Sequence, residues 1–322
     1  MKQILIQSER DDYSTDDVLS WLYHLDSTII INTFFDSYPI NTFGLEMDNK
    51  NKLSITINGI NMNESYSSWY RRGQLTAPFH QNGKYSNIQN KVHRETIQPI
   101  REFLEGTIST NAINTFKDNF ANKLDMLYQA LLLNIKIPPT LITESSIELL
   151  DFVSKNIKVI TKPIKNPFII FTQEDHIVEF STHTKLITLE DIPKDPYYFM
   201  PSFFQKYIDK KYEIRSFYLN GIFKSMAIFS QQNEKTKTDF RNYDYNKPNR
   251  CIPYKLPNNL EKKLHKLMQK LNLNCGSFDI IYTPKNEYYF LEVNPIGQFQ
   301  WLSRHCNYYI ERLIAQKLLI HE

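Results

Sequence analysis

The feature that most constrains this chain is a pair of short segments near its C-terminus, SFDIIYT at 277–283 and YYFLEVNP at 288–295. Both are rich in β-branched and aromatic residues, which favour strands. The four residues between them, PKNE, are of the types that form turns. The sequence therefore predicts a β-hairpin here.

The register of this hairpin decides which side chains meet. Pairing Thr283 with Tyr288 places Asp279 directly opposite Glu292, and Asn294 projects from the same face because side chains alternate along a strand. Two opposed carboxylates repel each other, and a divalent cation with oxygen ligands would offset that repulsion. The pattern indicates a magnesium site, and the alternative is a solvated strand face with unrelated acids.

Cations that could bind phosphate groups occur earlier in the chain. Lys162 follows the strand-like VIT of VITKPI, Arg215 lies in EIRSF and Arg241 lies in DFRNY. A single strand lysine is more often a surface residue, whereas the planar fork of arginine suits anions. The sequence has neither the P-loop nor the Rossmann glycine motif.

Composition excludes several classes of function. The formal net charge of the 322 residues is only +3, which gives no global electrostatic case for nucleic-acid binding. The three cysteines are far apart and show no metal-binding or disulfide spacing. The N-terminus lacks the features of a signal peptide and no apolar run would span a membrane, so a cytoplasmic protein is expected.

The order of predicted elements indicates an α/β (α+β) chain with more than one core. A strand, a helix and a second strand open it, which suggests a small α/β domain over residues 1–108. The polar segment GTISTNAIN marks the next boundary, and we expect a central subdomain over 109–196 and a C-terminal one over 197–322.

From Asn122 to the C-terminus, the ordered segments NKLDMLYQA, VITKPI, FFQKYIDKKYEIRSF, DFRNY, CGSFDIIYT and FLEVNPIGQFQWL resemble the ATP-grasp ligase fold, with residues 1–108 as an N-terminal pre-ATP-grasp domain. Two pieces, SSWYRRG and NPIGQFQWL, resemble the microviridin-type (graspetide) maturases of ribosomally made peptides (RiPPs), and most closely their grasp-with-spasm subgroup.

The resemblance implies ATP and magnesium as cofactors, with Lys123 and Lys162 on the ATP phosphates. It implies a hinge at the adenine, where backbone groups bind the base edge, made of Gln205, Lys206, Tyr207 and Ile208. Glu213 would lie at the ribose. The family usually has a carboxylate where this chain has Lys206, which leaves that position a backbone role.

For catalysis, the resemblance implies that Arg215 and Arg241 neutralise the transferring phosphoryl group. Asp279, Glu292 and Asn294 would hold magnesium. The implied enzyme is a peptide macrocyclase: it activates Glu or Asp side chains of a precursor peptide as acyl phosphates and closes ester or amide crosslinks. The alternatives are an amino-acid ligase similar to glutathione synthetase and a non-catalytic peptide-binding protein on the same scaffold.

The peptide partner would have a leader and an acidic core. The resemblance places Trp69, Arg71 and Arg72 near the core peptide or the nucleotide, although these side chains could instead pack and cover apolar surface. By analogy with the microviridin ligases, the strands at 168–188 would hold the leader; otherwise they belong to the ordinary middle sheet. A homodimer is left open, and no membrane or nucleic-acid partner is expected.

Overall fold

The structure is a computed structural model that describes residues 3–50, 53–77, 86–107, 111–165, 168–173, 176–181, 184–193, 195–233, 235–237 and 244–320. It mixes helices and sheets, as the predicted α/β class requires. Within the described residues, no helix is long and apolar enough to cross a membrane.

The N-terminal elements are β1 (Gln3–Ser8), α1 (Tyr13–Leu25), β2 (Ile30–Phe35), β3 (Ser37–Pro39), β4 (Phe43–Met47), β5 (Leu53–Ile57), β6 (Ile60–Asn61), β7 (Ser65–Tyr70), β8 (Gln74–Thr76), α2 (Ser86–Thr107) and β9 (Ala112–Ile113). Strands β2, β1, β7 and β9 form a parallel sheet in that order. Helix α1 begins at a cap, where the Asp12 carboxylate accepts a 3.0 Å hydrogen bond from the Ser14 amide. Val18 and Leu22 on one helical face then pack on the sheet.

The next elements are α3 (Lys123–Leu132), β10 (Thr140–Ser145), α4 (Ser146–Asn156), β11 (Val159–Thr161), β12 (Phe168–Gln173), β13 (His176–Ser181), β14 (Lys185–Ile187) and β15 (Tyr198–Lys206). Strands β10, β15, β11 and β14 form an antiparallel sheet in that order, and β12 pairs with β13. Leu149 and Val153 of α4 pack against Phe204. Asn134 follows α3 with a φ of 53°, the left-handed position that ends a helix.

The C-terminal elements are β16 (Tyr212–Leu219), β17 (Ile222–Phe229), β18 (Arg250–Tyr254), α5 (Asn258–Lys270), β19 (Cys275–Tyr282), β20 (Tyr288–Asn294), α6 (Gln300–Cys306) and α7 (Ile310–Leu319). The strands form an antiparallel sheet in the order β18-β17-β16-β19-β20. One face packs against α5 and α3, and the other against α6, α7 and the N-terminal sheet. The core on the α6 and α7 side of this sheet includes both Trp69 and Ile314, so it crosses the predicted domain boundary at residue 108.

The predicted hairpin is present, but it closes one residue away from the expected position. Tyr282, not Thr283, pairs with Tyr288, and the three-residue turn ends at Asn286 with a φ of 62°. Asparagine tolerates this left-handed conformation, and the prediction missed that signal. A β-bulge at Leu291 then shifts the register by one.

The bulge restores the predicted pairing of Asp279 with Glu292, which the shifted turn alone would have removed. Ile280 pairs with Phe290, and the next pair along β19 is Asp279 with Glu292. Phe290 can therefore point into the apolar core while Glu292 shares a face with Asp279. The predicted opposition of the two carboxylates is confirmed, although the predicted route to it was wrong.

Candidate active site

One face of the C-terminal sheet is polar at one end and apolar at the other. Along β16, Glu213 and Arg215 alternate into the same face as Phe217 and Leu219, which lie in the core under α6 and α7. Arg215 pairs with Asp279 of β19, which pairs in turn with Glu292 of β20. The period of two along each strand therefore gathers charged side chains at the open end of a buried face.

Each of the opposed carboxylates is held by a different cation. Arg215 Nη1 lies 2.7 Å from Asp279 Oδ1, and Lys123 Nζ lies 2.7 Å from Glu292 Oε2. The four side chains are between 10% and 21% exposed, so these pairs are shielded from most solvent screening. The positive charges of Arg215 and Lys123 offset the repulsion between the two carboxylates. The sequence had led us to expect a metal ion in that role.

Lys123 occupies its position because it is the first residue of α3. The side chain of Asn122 caps the helix and accepts a 2.8 Å hydrogen bond from the Leu124 amide. Lys123 Nζ also lies 6.0 Å from the ring centroid of Phe203 on β15, and Lys162 Nζ lies 5.6 Å from the same centroid. Both predicted phosphate-binding lysines thus converge on one buried aromatic ring that the sequence analysis missed.

A narrow gap separates the central sheet from the β19–β20 hairpin. Its volume is about 70 Å³. The predicted nucleotide and metal residues that line it are Lys162, Gln205, Lys206, Tyr207, Ile208, Glu213, Asp279 and Glu292. The fold therefore brings residues from both predicted ATP-grasp subdomains to one place.

At the predicted hinge, part of the backbone is already hydrogen-bonded. The Lys206 amide donates to the Pro139 carbonyl and the Tyr207 amide to the Lys158 carbonyl, both at 2.9 Å. These two donors therefore do not face a base edge in this structure. The Gln205 side chain is fully buried and donates to Thr140 Oγ1 at 3.0 Å.

Glu213 is buried, and the partners of its carboxylate include Lys210 and Ser230. Lys210 Nζ lies 2.5 Å from Glu213 Oε1, and the Ser230 hydroxyl donates to Oε2. The Lys210 side chain is only 4% exposed, so the pair behaves as an internal ion pair. Sequence reasoning missed Lys210, whose signal was its position three residues before Glu213.

Three buried polar atoms on β15, β16 and β19 have no hydrogen-bond partner among the described residues: Gln205 Oε1, Arg215 Nε and Ser277 Oγ. Buried polar groups are costly to leave unsatisfied, so such atoms commonly face a ligand or water. The acceptor Gln205 Oε1 lies at the predicted hinge, and the donor Arg215 Nε belongs to the arginine that pairs with Asp279. An acceptor suits a nucleotide base and a donor suits its phosphates.

Asn294 lies at the end of β20, two residues after Glu292. It pairs with Ser277 in the ladder, and its Oδ1 accepts a 3.0 Å hydrogen bond from the Ile296 amide. An amide oxygen has a second lone pair that can bind a metal. In the described ranges, no three His, Cys, Asp or Glu side chains form a metal cluster.

Asn294 also borders a larger cleft of about 640 Å³ against the N-terminal domain, here called the N-terminal cleft. Its walls include Glu9, Asp11, Asp36, Tyr70, Arg71, Arg72, Phe116, Asn119, Ile296 and Gln298. Asp279 and Glu292 line the narrow gap and Asn294 lines the wide cleft, so both cavities reach this end of β20.

The three residues predicted to contact the substrate differ in position. Trp69 is 2% exposed and lies in the core, so packing, not peptide contact, explains it. Arg71 is also 2% exposed and binds protein groups. Arg72 borders the N-terminal cleft with its side chain 34% exposed. Arg241, the second predicted catalytic arginine, lies outside the described residues.

Both arginines bind the same carboxylate. Arg71 Nε lies 2.9 Å and Arg72 Nε 2.8 Å from Asp12 Oδ2. Burial acts to raise the pKa of Asp12, but Arg71, the Ser14 hydroxyl and Arg72 together hold it below its usual value. Asp12 is therefore a buried anion that orders the end of the predicted substrate segment SSWYRRG.

No protein-family model matches this chain, and no curated protein matches it. Solved structures do match over nearly the full length. A RiPP-associated ATP-grasp ligase from Chryseobacterium gregarium, in complex with ADP and a leader and core peptide, is 24% identical, with 99% of this chain and 95% of that chain covered and a TM-score of 0.77.

Two macrocyclases from Microcystis aeruginosa MRC are also similar in structure. MdnC, bound with precursor peptide MdnA, is 24% identical, covers 98% of this chain and 99% of its own, and has a TM-score of 0.72. MdnB is 23% identical, covers 99% of this chain and 100% of its own, and has a TM-score of 0.69. The predicted ATP-grasp fold is thus confirmed.

Proposed function

We propose, from the ATP-grasp fold of this chain, that it is an ATP-dependent ligase that crosslinks side chains of a ribosomal precursor peptide. The observation that carries the proposal is the opposed pair Asp279 and Glu292, held by Arg215 and Lys123 at the open end of the sheet. That arrangement suits a magnesium nucleotide, and the N-terminal cleft beside it has room for a peptide segment.

The proposal that the substrate is a peptide rests on the similar solved structures. The Chryseobacterium ligase was solved with a leader and core peptide and MdnC with its precursor peptide, and both match this chain almost end to end. The three subdomains expected from the sequence, 1–108, 109–196 and 197–322, remain our proposal, with the site between the last two, although β15 of the third range pairs with β10 and β11 of the central sheet.

For the nucleotide, we assign the phosphates to Lys123 and Lys162, which lie over Phe203. Adenine would lie at the hinge, where the Lys206 and Tyr207 amides are already committed to carbonyls. We therefore assign recognition of the base edge to the remaining backbone groups of the hinge and to the buried Gln205 Oε1.

The residues present fit magnesium. Two carboxylates with the Asn294 amide oxygen are hard oxygen donors, the ligands that magnesium prefers beside phosphate groups. When bound, magnesium would neutralise charge on the transferring phosphoryl group. Arg215, whose Nε has no partner among the described residues, would orient and stabilise the same group.

The reaction transfers the γ-phosphoryl group of ATP to an acidic side chain of the peptide, which releases ADP and forms an acyl phosphate. A hydroxyl or amine of a second side chain then attacks the carbonyl carbon, loses its proton and expels phosphate. The chain's part is to hold the reacting groups together and to exclude water, which would hydrolyse the acyl phosphate.

The gap must widen before a nucleotide can enter. Ligand pockets usually measure about 300 to 1,000 Å³, whereas the gap measures about 70 Å³. Since its walls come from separate sheets, β15 on one side and β19–β20 on the other, we propose that these sheets move apart to admit ATP.

For the peptide, we propose that the core segment binds in the N-terminal cleft, with Arg72 as a contact to an acidic side chain. The β12–β13 hairpin is our proposed leader-binding element. It forms a two-stranded sheet separate from the central sheet, and this separation supports a role in binding a partner peptide.

The test is mass spectrometry of small acidic peptides that contain Thr, Ser or Lys and are encoded beside this gene, incubated with the protein, ATP and magnesium. Loss of one water per crosslink, with matching ADP release, is expected. ADP release that depends on a free amino acid, with the peptides unchanged, would favour an amino-acid ligase. Peptide binding without any ADP release would favour the non-catalytic alternative.

A further inference from the structure

The loop that follows β20, residues 295–298, is held by hydrogen bonds from outside the C-terminal sheet. Asn114 Nδ2 donates to the Pro295 carbonyl at 2.8 Å. Arg71 Nη1 donates to the Ile296 carbonyl at 2.7 Å, and Arg71 Nη2 donates to Gln298 Oε1 at 2.9 Å. The side chain of Arg71 therefore joins the N-terminal domain to the loop that begins at the end of the predicted metal strand.

Arg71 is itself rigidly placed. Its Nε lies 2.9 Å from Asp12 Oδ2 and 3.1 Å from Ser14 Oγ, and its guanidinium lies 5.3 Å from the centroid of the Phe299 ring. A buried guanidinium with this many partners keeps a single orientation, because each change of rotamer would leave donors unpaired. The guanidinium of Arg71 therefore holds loop 295–298 in one position.

The middle residue of that loop, Gly297, lies against the proposed phosphoryl-stabilising arginine. A methyl group added at Gly297 would lie 2.7 Å from Arg215 Nη2 and 2.7 Å from Ser277 Cβ. Both distances are far below a van der Waals contact. The absence of a side chain at Gly297 therefore leaves the space that Arg215 occupies when it reaches Asp279.

We infer that Arg71 and Gly297 are positioning residues for the catalytic centre: Arg71 holds loop 295–298, and Gly297 in that loop sets the place of Arg215. The inference rests on the proposed function, in which Arg215 acts on the phosphoryl group. It assigns Arg71 a role different from the predicted peptide contact, and it makes the N-terminal domain part of the machinery that orders the site.

The first test is Gly297→Ala, with Gly44→Ala as the matched control, because a methyl group at Gly44 meets nothing within 4 Å. Magnesium affinity in the presence of ADP is measured by calorimetry, together with the melting temperature and the kcat and KM of peptide-dependent ADP release. We expect Gly297→Ala to lower kcat by about 100-fold, the cost of a roughly 1 Å misplacement, and to change magnesium affinity with little change in peptide KM.

The second test is Arg71→Lys, which keeps a positive charge for Asp12 but loses the fork that reaches Ile296 and Gln298. It is compared with Gln298→Ala, which removes one of those contacts and should lower kcat about threefold to tenfold, as loss of one hydrogen bond would. Arg71→Lys should lower kcat further while the protein still melts cooperatively.

Two outcomes separate the hypotheses. Magnesium affinity and kcat of Gly297→Ala equal to those of Gly44→Ala would overturn the inference, as would wild-type values in a folded Arg71→Lys variant. If the wild-type protein binds ADP with magnesium but modifies no peptide, the proposed function fails, and the calorimetric comparison of the two glycine variants still decides the inference.

Discussion

Asp279 stands directly opposite Glu292 in the β19–β20 ladder, and each carboxylate pairs at 2.7 Å with a cation from a different element, Arg215 of β16 and Lys123 of α3. The proposed metal ligands are therefore neutralised by the same cations that we assign to the phosphates. Binding of a magnesium nucleotide would require these cations to exchange partners.

The first prediction concerns the carboxylates. Asp279→Asn and Glu292→Gln should each lower ligation by at least about 100-fold, because each loses a carboxylate ligand of the magnesium that neutralises the reacting phosphates, while the fold is retained. Circular dichroism and mass spectrometry measure the two effects. Asp151→Asn is the control, since Asp151 forms only an exposed pair with Lys155. Near wild-type turnover of Glu292→Gln would exclude the metal assignment.

The second prediction separates the two roles of Lys123. Lys123→Met removes one cation from Glu292, so magnesium alone should bind more tightly because it competes with one fewer positive charge for that carboxylate. ADP should bind about tenfold more weakly, since a charge-assisted bond to phosphate is lost. Calorimetric titrations with each ligand measure both changes. A parallel fall in the two affinities would contradict the exchange of partners.

The third prediction concerns peptide recognition. Arg72→Gln should raise the KM for an acidic core peptide about tenfold and leave kcat nearly unchanged, because a ground-state contact is removed. Arg94→Gln on the exposed surface of α2 is the control. A fall in kcat at constant KM would mean that Arg72 acts on the reaction and not on peptide binding.

The fourth prediction concerns pH and stability. The pKa of Asp12 is held below the usual value of 3.8 in the folded chain, so its contribution to stability is complete above pH 3.8 and is lost as the pH falls through the folded pKa. Asp12→Asn should lower the free energy of unfolding by about 3 kcal/mol at neutral pH, since Arg71 stays buried without its anion.

Urea unfolding at several pH values tests this. The difference in stability between wild type and Asp12→Asn should shrink below pH 3.8, where the wild-type carboxyl begins to be protonated in the unfolded chain. Asp151→Asn is the control, because loss of its exposed pair with Lys155 should change the free energy of unfolding by about 0.5 kcal/mol or less. A constant difference for Asp12→Asn across the acid range would refute the ionised state of Asp12.

The sequence by itself determined the strands with one polar face and the order of the candidate functional residues along the chain. The alternation of Asp279, Glu292 and Asn294 with apolar neighbours specified strands with one polar face, since side chains repeat every second residue along a strand. The order of the lysines, the hinge segment and the D…E-x-N ending was enough to indicate the ATP-grasp fold, which the solved structures bear out.

Only the tertiary structure decided the register and the partners. The three-residue turn and the bulge at Leu291 depend on how the hairpin packs, and a local pattern does not distinguish them from a regular four-residue turn. The resemblance placed Trp69 and Arg71 near the core peptide or the nucleotide, with packing as the alternative, and contacts remote in sequence bury both. Burial and ion pairing depend on which distant segments meet, and that is a property of the packed chain and not of any short stretch of it.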